Sequence, residues 1–191
     1  FIKFFGGNYR ILECTFNSDN NLKNALDDLI NKAEQAVREG IKQIILTDKN
    51  ISIKRLPMPM LLCIGAINTH LIKLGLRGYV SINVQTGDAL DTHSFATLIG
   101  VGATTVNPYL AFDSLYQRYS RKLFGNLSYD DCVIRFIKSV NLGLLKIMSK
   151  MGISVLSSYR GGCNFEAVGL SRGLVADYFP GMISRISGIG I

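Results

Sequence analysis

Residues 22–48 read LKNALDDLINKAEQAVREGIKQIILTD, and this stretch decides the fold class of the chain. Its apolar side chains recur at helical spacing and predict an amphipathic helix over 22–38, with one face formed by Leu22, Ala25, Leu26, Leu29, Ile30, Ala33 and Val37. Asn20 or Asn21 is suited to cap the start of this helix, and Gly40 to end it. A short apolar run over 43–47 follows and predicts a strand that ends at Asp48.

The same order of helix, glycine and short apolar run recurs along the chain. Further helices are predicted over 59–73, 91–99 and 129–150. Further strands are predicted over 79–84, 104–106 and 153–156, and residues 10–14 are an additional candidate. Glycines suited to ending the helices are Gly75, Gly100, Gly102 and Gly152.

These alternating elements favour an α/β fold in one domain that covers residues 1–191. The strands are short and are expected to be apolar on both faces, which is typical of a parallel sheet covered by helices. The repeats differ in length, so a solenoid is not expected. A complete eight-stranded barrel needs about 250 residues. The sequence therefore predicts a partial, TIM-barrel-like structure or an open sheet.

The composition excludes several other classes of protein. With 48% apolar and 18% charged residues, the chain is neither disordered nor a coiled coil. Its longest apolar stretch, residues 60–67, is far shorter than the roughly 20 residues of a membrane span. The net charge of +7 comes from lysines and arginines spread along the chain, so a basic surface is expected rather than a nucleic-acid site. Docking on an acidic neighbouring domain is the second interpretation.

Four cysteines are widely separated in the sequence: Cys14, Cys63, Cys132 and Cys163. They form no C-x-x-C motif and no Cys/His pair at metal spacing, so no metal site or iron–sulfur cluster is predicted. We interpret them as small buried side chains of a protein from a reducing, intracellular compartment. The sequence leaves open whether that compartment is the cytosol or an organelle.

Candidate functional residues follow from the rule that ligands gather at the carboxyl ends of parallel strands. Positions that follow the predicted strands are Asp48, Gln85 to Asp88, Asn107 with Tyr109, and Tyr159 with Arg160. Each also has a structural interpretation: Asp48 can cap a turn, Asn107 precedes Pro108 at a predicted helix start, and Arg160 can pair with Glu166.

The run SSYRGGC at 157–163 is the strongest local signal for a ligand. It is interpreted as a strand that leads through two glycines into a helix, where backbone amides can hold phosphate beside Arg160. This supports an alternative hypothesis, an independent flavin- or phosphate-binding enzyme that uses Arg160, Gly161 and Gly162. The run matches neither a P-loop nor a dinucleotide-binding fingerprint.

The residues form no complete catalytic set. His70 lies within an apolar helical pattern, and His93 lies near a predicted helix start. Asp91 and His93 can be interpreted as an acid–base pair, but a hydrogen bond at the helix start explains them more simply.

Several longer phrases resemble the large chains of glutamate synthases, in the order expected for their central domain. The longest is 143–154 (GLLKIMSKMGIS), which leads into 158–162 (SYRGG) and 165–171 (FEAVGLS). Shorter phrases of the same kind are 45–48, 57–62, 95–103, 106–111 and 184–190. The chain departs from the family pattern at Lys49, Gln85, Thr92 and the pair Gly162-Cys163, where the family usually has Arg, an acidic residue, His and Ala-Gln.

The resemblance implies a place within a larger enzyme. In that family an amidotransferase domain releases ammonia from glutamine, and a tunnel carries it to an FMN-binding barrel with a 3Fe-4S cluster, where 2-oxoglutarate becomes glutamate. The central domain connects these two partners, resembles the flavin barrel in topology, and carries no cofactor. Because the chain starts at Phe1 instead of a catalytic cysteine, it is expected to be a noncatalytic fragment. Implied tunnel or interdomain positions are Asp48, Gln85, His93, Asn107, Tyr109, Tyr159 and Arg160.

Overall fold

The first half of the chain forms the strands and helices that begin the sheet. A computed structural model describes residues 2–191. After a short 3-10 turn, Ile2–Phe5, the elements are β1 (Tyr9–Glu13), β2 (Thr15–Asn17), α1 (Leu22–Arg38), β3 (Gln43–Thr47), β4 (Arg55–Pro57) and α2 (Met60–Lys73). The predicted first helix and strand are therefore confirmed, with Asn21 accepting a hydrogen bond from the amide of Lys23 as the cap.

The second half continues the alternation of strands and helices as far as residue 120, and the elements after it add no further strand to the main sheet. A 3-10 turn, Arg77–Tyr79, leads into β5 (Ser81–Gln85), α3 (Thr92–Val101), β6 (Thr105–Asn107), α4 (Tyr109–Ser120) and α5 (Tyr129–Lys150). The chain ends with α6 (Leu156–Tyr159), β7 (Glu166–Leu170), α7 (Arg172–Tyr178) and β8 (Ile183–Ile189).

Four strands form the main sheet in the order β1-β3-β5-β6, and all neighbours are parallel. This confirms the prediction of a parallel α/β fold, including the candidate strand at 10–14. The side chains of one sheet face pack against the helices and form the centre of the core, through Leu12, Ile44, Leu46, Ile82 and Val84. Helices α1 and α2 contact each other and α2 contacts α3, so this face is covered continuously.

The opposite sheet face is polar, which corrects the expectation that the strands are apolar on both faces. Successive side chains of a strand point to opposite faces. The register places Ile45 of β3 beside Asn83 of β5, and Asn83 beside Thr105 of β6. We define the polar face by the side chains of β3, β5 and β6 that share this side: Gln43, Ile45, Thr47, Ser81, Asn83, Gln85, Thr105 and Asn107.

The prediction of a strand over 153–156 is wrong. The amide of Ile153 donates to the carbonyl of Met148 at 2.9 Å and closes the end of α5. The carbonyl of Val155 accepts from the amide of Ser158 at 3.1 Å, within the turn that becomes α6. These backbone groups are used by helix ends, so the β-branched run forms no ladder. The strand after it is β7, which pairs with β8 in a separate parallel pair.

The C-terminal pair is held to the main body through α7 and α2. Gly65 of α2 allows this contact, because a Cβ at that position would overlap the ring of Phe179 and lie 2.9 Å from the carbonyl of Tyr178. Thr69, one turn later, donates to the same carbonyl at 3.0 Å. Substitution of Gly65 by a larger residue would therefore force α7 away from α2.

Candidate functional site

Asp48 lies at the carboxyl end of β3, as predicted, and is 2% exposed. Its carboxylate accepts a hydrogen bond from the hydroxyl of Thr86 at 2.6 Å and from the amide of Gly87 at 3.2 Å. Both donors belong to the loop that follows β5. Asp48 therefore closes that loop onto β3, which agrees with its structural interpretation as a turn cap. We call Asp48, Thr86, Gly87 and Tyr109 the Asp48 cluster.

Tyr109 completes this cluster from the first position of α4. Burial, the charge of Asp48 and a hydrogen bond to its carboxylate raise the pKa of Tyr109 to about 12. The ammonium of Lys49 lies 5.8 Å from the centroid of the Tyr109 ring. The phenol therefore stays protonated at neutral pH and gives the cluster a neutral donor rather than a base.

Gln85 and Asn107 also lie at this end of the sheet, but on the polar face. The hydroxyl of Thr47 donates to Oε1 of Gln85 at 3.0 Å, and the carbonyl of Asn107 accepts from the amide of Thr86 at 3.0 Å. Asp48 follows Thr47 directly, so its side chain leaves β3 on the other, helix-covered side. The predicted strand-end residues are thus brought to one edge and divided between two faces.

A chain of hydrogen bonds crosses the polar face. Nδ2 of Asn83 donates to Oε1 of Gln43 at 2.8 Å, and the hydroxyl of Thr105 donates to Oδ1 of Asn83 at 2.8 Å. On the described strands β3, β5 and β6 this face has no ionisable side chain. The alternation of Ser81, Asn83 and Gln85 in the sequence is the signal that could have revealed it.

The strand β1 adds one carboxylate to the edge of this face. Oε1 of Glu13 accepts from the side-chain amide of Asn50 at 2.8 Å. Its other oxygen, Oε2, is buried and has no hydrogen-bond partner in the described residues. Glu13 was not among the predicted functional residues, although it lies at the carboxyl end of the candidate strand 10–14.

His93 does not join the Asp48 cluster. It is exposed in the first turn of α3, and its ring meets Phe165 edge-on with the centroids 6.3 Å apart. Asp91 accepts from the amide and the hydroxyl of Ser94 at 2.8 and 2.6 Å. Asp91 therefore caps α3, and the same hydrogen bonds lower its pKa. This supports the interpretation of Asp91 as a helix cap over that of an acid–base pair with His93.

Tyr159 and Arg160 do not lie at a strand's carboxyl end, contrary to the prediction. Tyr159 is 1% exposed in a small core cluster with Ala96, Ile99 and Met148. Arg160 follows α6 and lies in a cavity at the amino-terminal ends of β5 and β6. The error has one cause: without a strand at 153–156, the chain after α5 does not run through the sheet.

The run at 157–163 is not the predicted turn from a strand into a helix. The amide of Gly161 donates to the carbonyl of Gly100 at 2.8 Å, and the amide of Gly162 donates to the carbonyl of Tyr159 at 3.3 Å. The segment leads into the strand β7 and not into a helix. The two amides are therefore committed to the protein, and Glu166 pairs with Arg185 at 3.5 Å instead of with Arg160.

Three of the four cysteines are buried as predicted, and Cys163 is exposed. Burial and a hydrogen bond with Cys63 raise the pKa of the Cys14 thiol well above its usual value. Among residues 2–191 no group of three or more His, Cys, Asp or Glu side chains is placed to hold a metal ion. These cysteines therefore do not fit the ligand set of an iron–sulfur cluster. No helix within the same residues is long and apolar enough to cross a membrane.

Comparison with solved structures concerns the fold alone. A doubly substituted flavocytochrome b2 with sulfite bound is similar over 70% of this chain and 32% of its own, with a TM-score of 0.51 and 14% identity. That protein has the TIM-barrel fold. The likeness confirms the prediction of a TIM-barrel-like fold, and the matched region corresponds to 32% of that protein.

Comparison of sequences is more specific. The large chain of the NADPH glutamate synthase of Azospirillum brasilense is 50% identical over 191 residues, which is 98% of this chain and 13% of the relative. The corresponding protein of Bacillus subtilis is 42% identical over 94% of this chain and 12% of the relative. The chloroplastic ferredoxin-dependent glutamate synthase of Spinacia oleracea is 40% identical over 88% of this chain and 11% of its own.

The chain thus spans 11–13% of the length of these relatives. The family model of the glutamate synthase central domain matches residues 4–171, which include all four strands of the main sheet. The matched region ends at Ser171, before α7 and β8. The chain belongs to the glutamate synthase central domain family.

Proposed function

We propose that this domain is a noncatalytic scaffold of a glutamate synthase and lines part of its ammonia tunnel. The parent enzyme makes L-glutamate from glutamine and 2-oxoglutarate, with FMN and a 3Fe-4S cluster held outside this chain. The partners of the domain are the amidotransferase and FMN-binding domains of the same polypeptide. No nucleic acid is part of this proposal.

The polar face is the observation that carries the tunnel role. Its interior amides and hydroxyls bond one another, and the half-buried amide side chains of Gln85 and Asn107 at its end are the groups that a small neutral molecule can reach. The same three strands contribute no carboxylate to this face that would hold ammonia as ammonium, and the carboxylate of Glu13 lies on the edge strand β1. Enclosing a reactive intermediate protects it from water and from side reactions. Gln85 and Asn107, at the end of this face, are the predicted tunnel positions that fit best.

The Asp48 cluster supports the noncatalytic part of the proposal. A nucleophile or general base must have a free lone pair within reach of its substrate. Asp48 is buried and engaged by Thr86 and Gly87, and Tyr109 is held in its protonated form. The Asp48 cluster instead fixes the loop between β5 and α3.

The scaffold role is supported by apolar side chains that remain exposed. They occur along α5 and on the C-terminal strands, and include Ile134, Leu142, Leu145, Val168, Ile186 and Ile189. Apolar surface of this extent is typical of an interface. Because the chain spans 11–13% of its relatives, other domains of the same polypeptide are the expected partners.

The tunnel role is tested in the complete parent enzyme with Asn107→Phe, which places a ring at the end of the polar face. A blocked or leaking tunnel would raise the amount of glutamine hydrolysed per glutamate formed, while glutamate synthesis from added ammonium salt continues. The matched control is Gln117→Phe, which adds the same ring on the exposed side of α4. An unchanged ratio in Asn107→Phe, with both partial reactions intact, would contradict the tunnel role.

A further inference from the structure

A cavity of about 440 Å³ opens beside the amino-terminal ends of β5 and β6, and two arginines line it. Arg77 lies in the 3-10 turn that leads into β5, and Arg160 follows α6. The polar side chains of Asn68, Ser81 and Thr104 contribute to the same wall. Small-molecule sites in proteins have volumes of roughly 300–1,000 Å³, so the cavity is large enough for a small ligand.

Arg77 is held rigidly by neutral acceptors. Its Nε donates to Oδ1 of Asn68 at 2.7 Å, one Nη donates to the carbonyl of Val80 at 2.6 Å, and the other donates to the carbonyl of Gly102 at 2.9 Å. Carbonyl and amide oxygens satisfy the donors but do not neutralise the positive charge. Burial, and after it the nearby charge of Arg160, lower the pKa of Arg77 to about 10.

Arg160 is the less satisfied partner. Its Nε is buried and has no hydrogen-bond partner among the described residues. A buried donor without a partner is unfavourable, because folding removes its water and supplies nothing in return. The turn that places this side chain is fixed on both sides, by the buried ring of Tyr159 and by the hydrogen bond from Gly161 to Gly100.

The acidic side chains that form ion pairs are committed elsewhere. Glu166 pairs with Arg185, Glu39 with Arg10, Glu34 with Arg38 and His70, and Asp28 with Lys32. Within residues 2–191 no ion pair links Arg77 or Arg160 to a carboxylate. Two neighbouring guanidinium groups in a cavity therefore lack a counterion from the described chain.

We propose that Arg77 and Arg160 form a binding site for a small oxyanion, a carboxylate or phosphate group, in this cavity. A guanidinium group presents parallel N–H donors that match two oxygens of such a group. Arg160 supplies a guanidinium group that forms no hydrogen bond with the described residues, and Arg77 supplies a fixed second charge. The assignment is independent of the tunnel role, because the cavity lies at the opposite end of the sheet from Gln85 and Asn107.

The test uses the full 191-residue chain and inorganic phosphate as the probe. Thermal unfolding is followed in sodium phosphate and in sodium chloride of equal ionic strength. Ligand binding to the folded state alone raises the unfolding midpoint by about 3–6 °C at ten times Kd. Equal midpoints in the two salts would overturn the proposal.

Two variants locate the effect. Arg160→Gln removes the charge and is expected to abolish the shift caused by phosphate, with circular dichroism as the check that the variant is folded. Arg172→Gln removes an exposed arginine in the first turn of α7 and is expected to keep the shift. A shift that persists in Arg160→Gln would show that the anion binds elsewhere.

The same titration of the complete parent enzyme separates two sources of the oxyanion. If phosphate also stabilises the parent and Arg160→Gln prevents this, the natural occupant is a free anion. If phosphate stabilises only the 191-residue chain, a carboxylate from another part of the polypeptide occupies the site in the parent. Both results support an oxyanion site, and equal midpoints in the 191-residue chain overturn it whatever the parent enzyme shows.

Discussion

The Asp48 cluster and the cavity with Arg77 and Arg160 lie at opposite ends of the same parallel sheet. They differ in whether the buried charged side chain has hydrogen-bond partners. At the carboxyl end, Asp48 is 2% exposed and receives hydrogen bonds from Thr86 and Gly87. At the amino end, Nε of Arg160 is buried without a partner, beside a second guanidinium group.

The difference shows that the end of the sheet alone does not identify a ligand site. In parallel folds ligands usually gather at the carboxyl ends of strands. Here Asp48, the most buried charge of that end, is already satisfied by the protein and stabilises the native loop. The arginine whose Nε has no partner in the described residues lies at the other end. Glu13 is a partial exception at the carboxyl end, since one of its oxygens also lacks a partner.

The largest expected effect concerns Asp48. Asp48→Asn removes the charge that accepts hydrogen bonds from Thr86 and Gly87 and places an amide donor among donors. We expect the free energy of unfolding to fall by about 2–3 kcal/mol, because the partners become poorly satisfied in a buried site. Urea unfolding followed by circular dichroism measures this change.

Asp88→Asn is the matched control for that prediction. Asp88 lies in the same loop but is exposed, and its carboxylate accepts a long hydrogen bond of 3.4 Å from the amide of Met60. We expect a change within about 0.5 kcal/mol, as for most surface substitutions. Equal losses in the two variants would show that burial of Asp48 does not decide its contribution.

A smaller effect of opposite sign is expected for Arg160. In buffers without phosphate or carboxylate, Arg160→Met removes a buried unpaired donor and a repulsive charge while keeping a long side chain. We expect the free energy of unfolding to rise by about 1 kcal/mol. Arg185→Met, at a 75% exposed side chain, is the control and should change stability by less than about 0.5 kcal/mol. A loss in Arg160→Met would mean that the chain itself satisfies this arginine.

The fold was predictable from sequence where local patterns and the tertiary structure agree. The apolar spacing over 22–38 and the run over 43–47 identified α1 and β3, since both bury their apolar side chains in the core. The helix α4 was missed because it buries only Ala111 and so has almost no apolar face. The run at 153–156 has the composition of a strand, but its backbone is used by the ends of α5 and α6.

The site was predictable only as far as strand ends were. Gln85 and Asn107 end true strands, Asp48 and Tyr109 come just after them, and the structure brings all four to one edge. Arg77 was missed because two of its neighbours in the cavity, Thr104 and Arg160, come from distant parts of the chain. No sequence spacing predicts that these side chains line one cavity. The pairing of Arg77 with neutral carbonyl oxygens likewise depends on backbone positions that only the folded chain defines.

The smallest effect is confined to alkaline pH and concerns Tyr109. Its pKa is raised from 10.0 to about 12 in the folded chain, because burial and the charge of Asp48 disfavour the phenolate. A group whose pKa is higher in the folded state contributes stability below its unfolded pKa and loses it as the pH rises. The contribution of Tyr109 is therefore fully present below pH 10 and decreases towards pH 12.

Tyr109→Phe should remove this part of the alkaline loss of stability, so its unfolding midpoint should fall less steeply above pH 10 than that of the parent chain. Tyr116→Phe, at an exposed ring on the same helix, is the matched control and should follow the parent. Tyrosinate absorbance gives a second measurement, in which Tyr109→Phe loses one late-titrating phenol. If the two variants behave alike, the phenol of Tyr109 is not held by Asp48, and the carboxyl end of the sheet is less closed than its hydrogen bonds indicate.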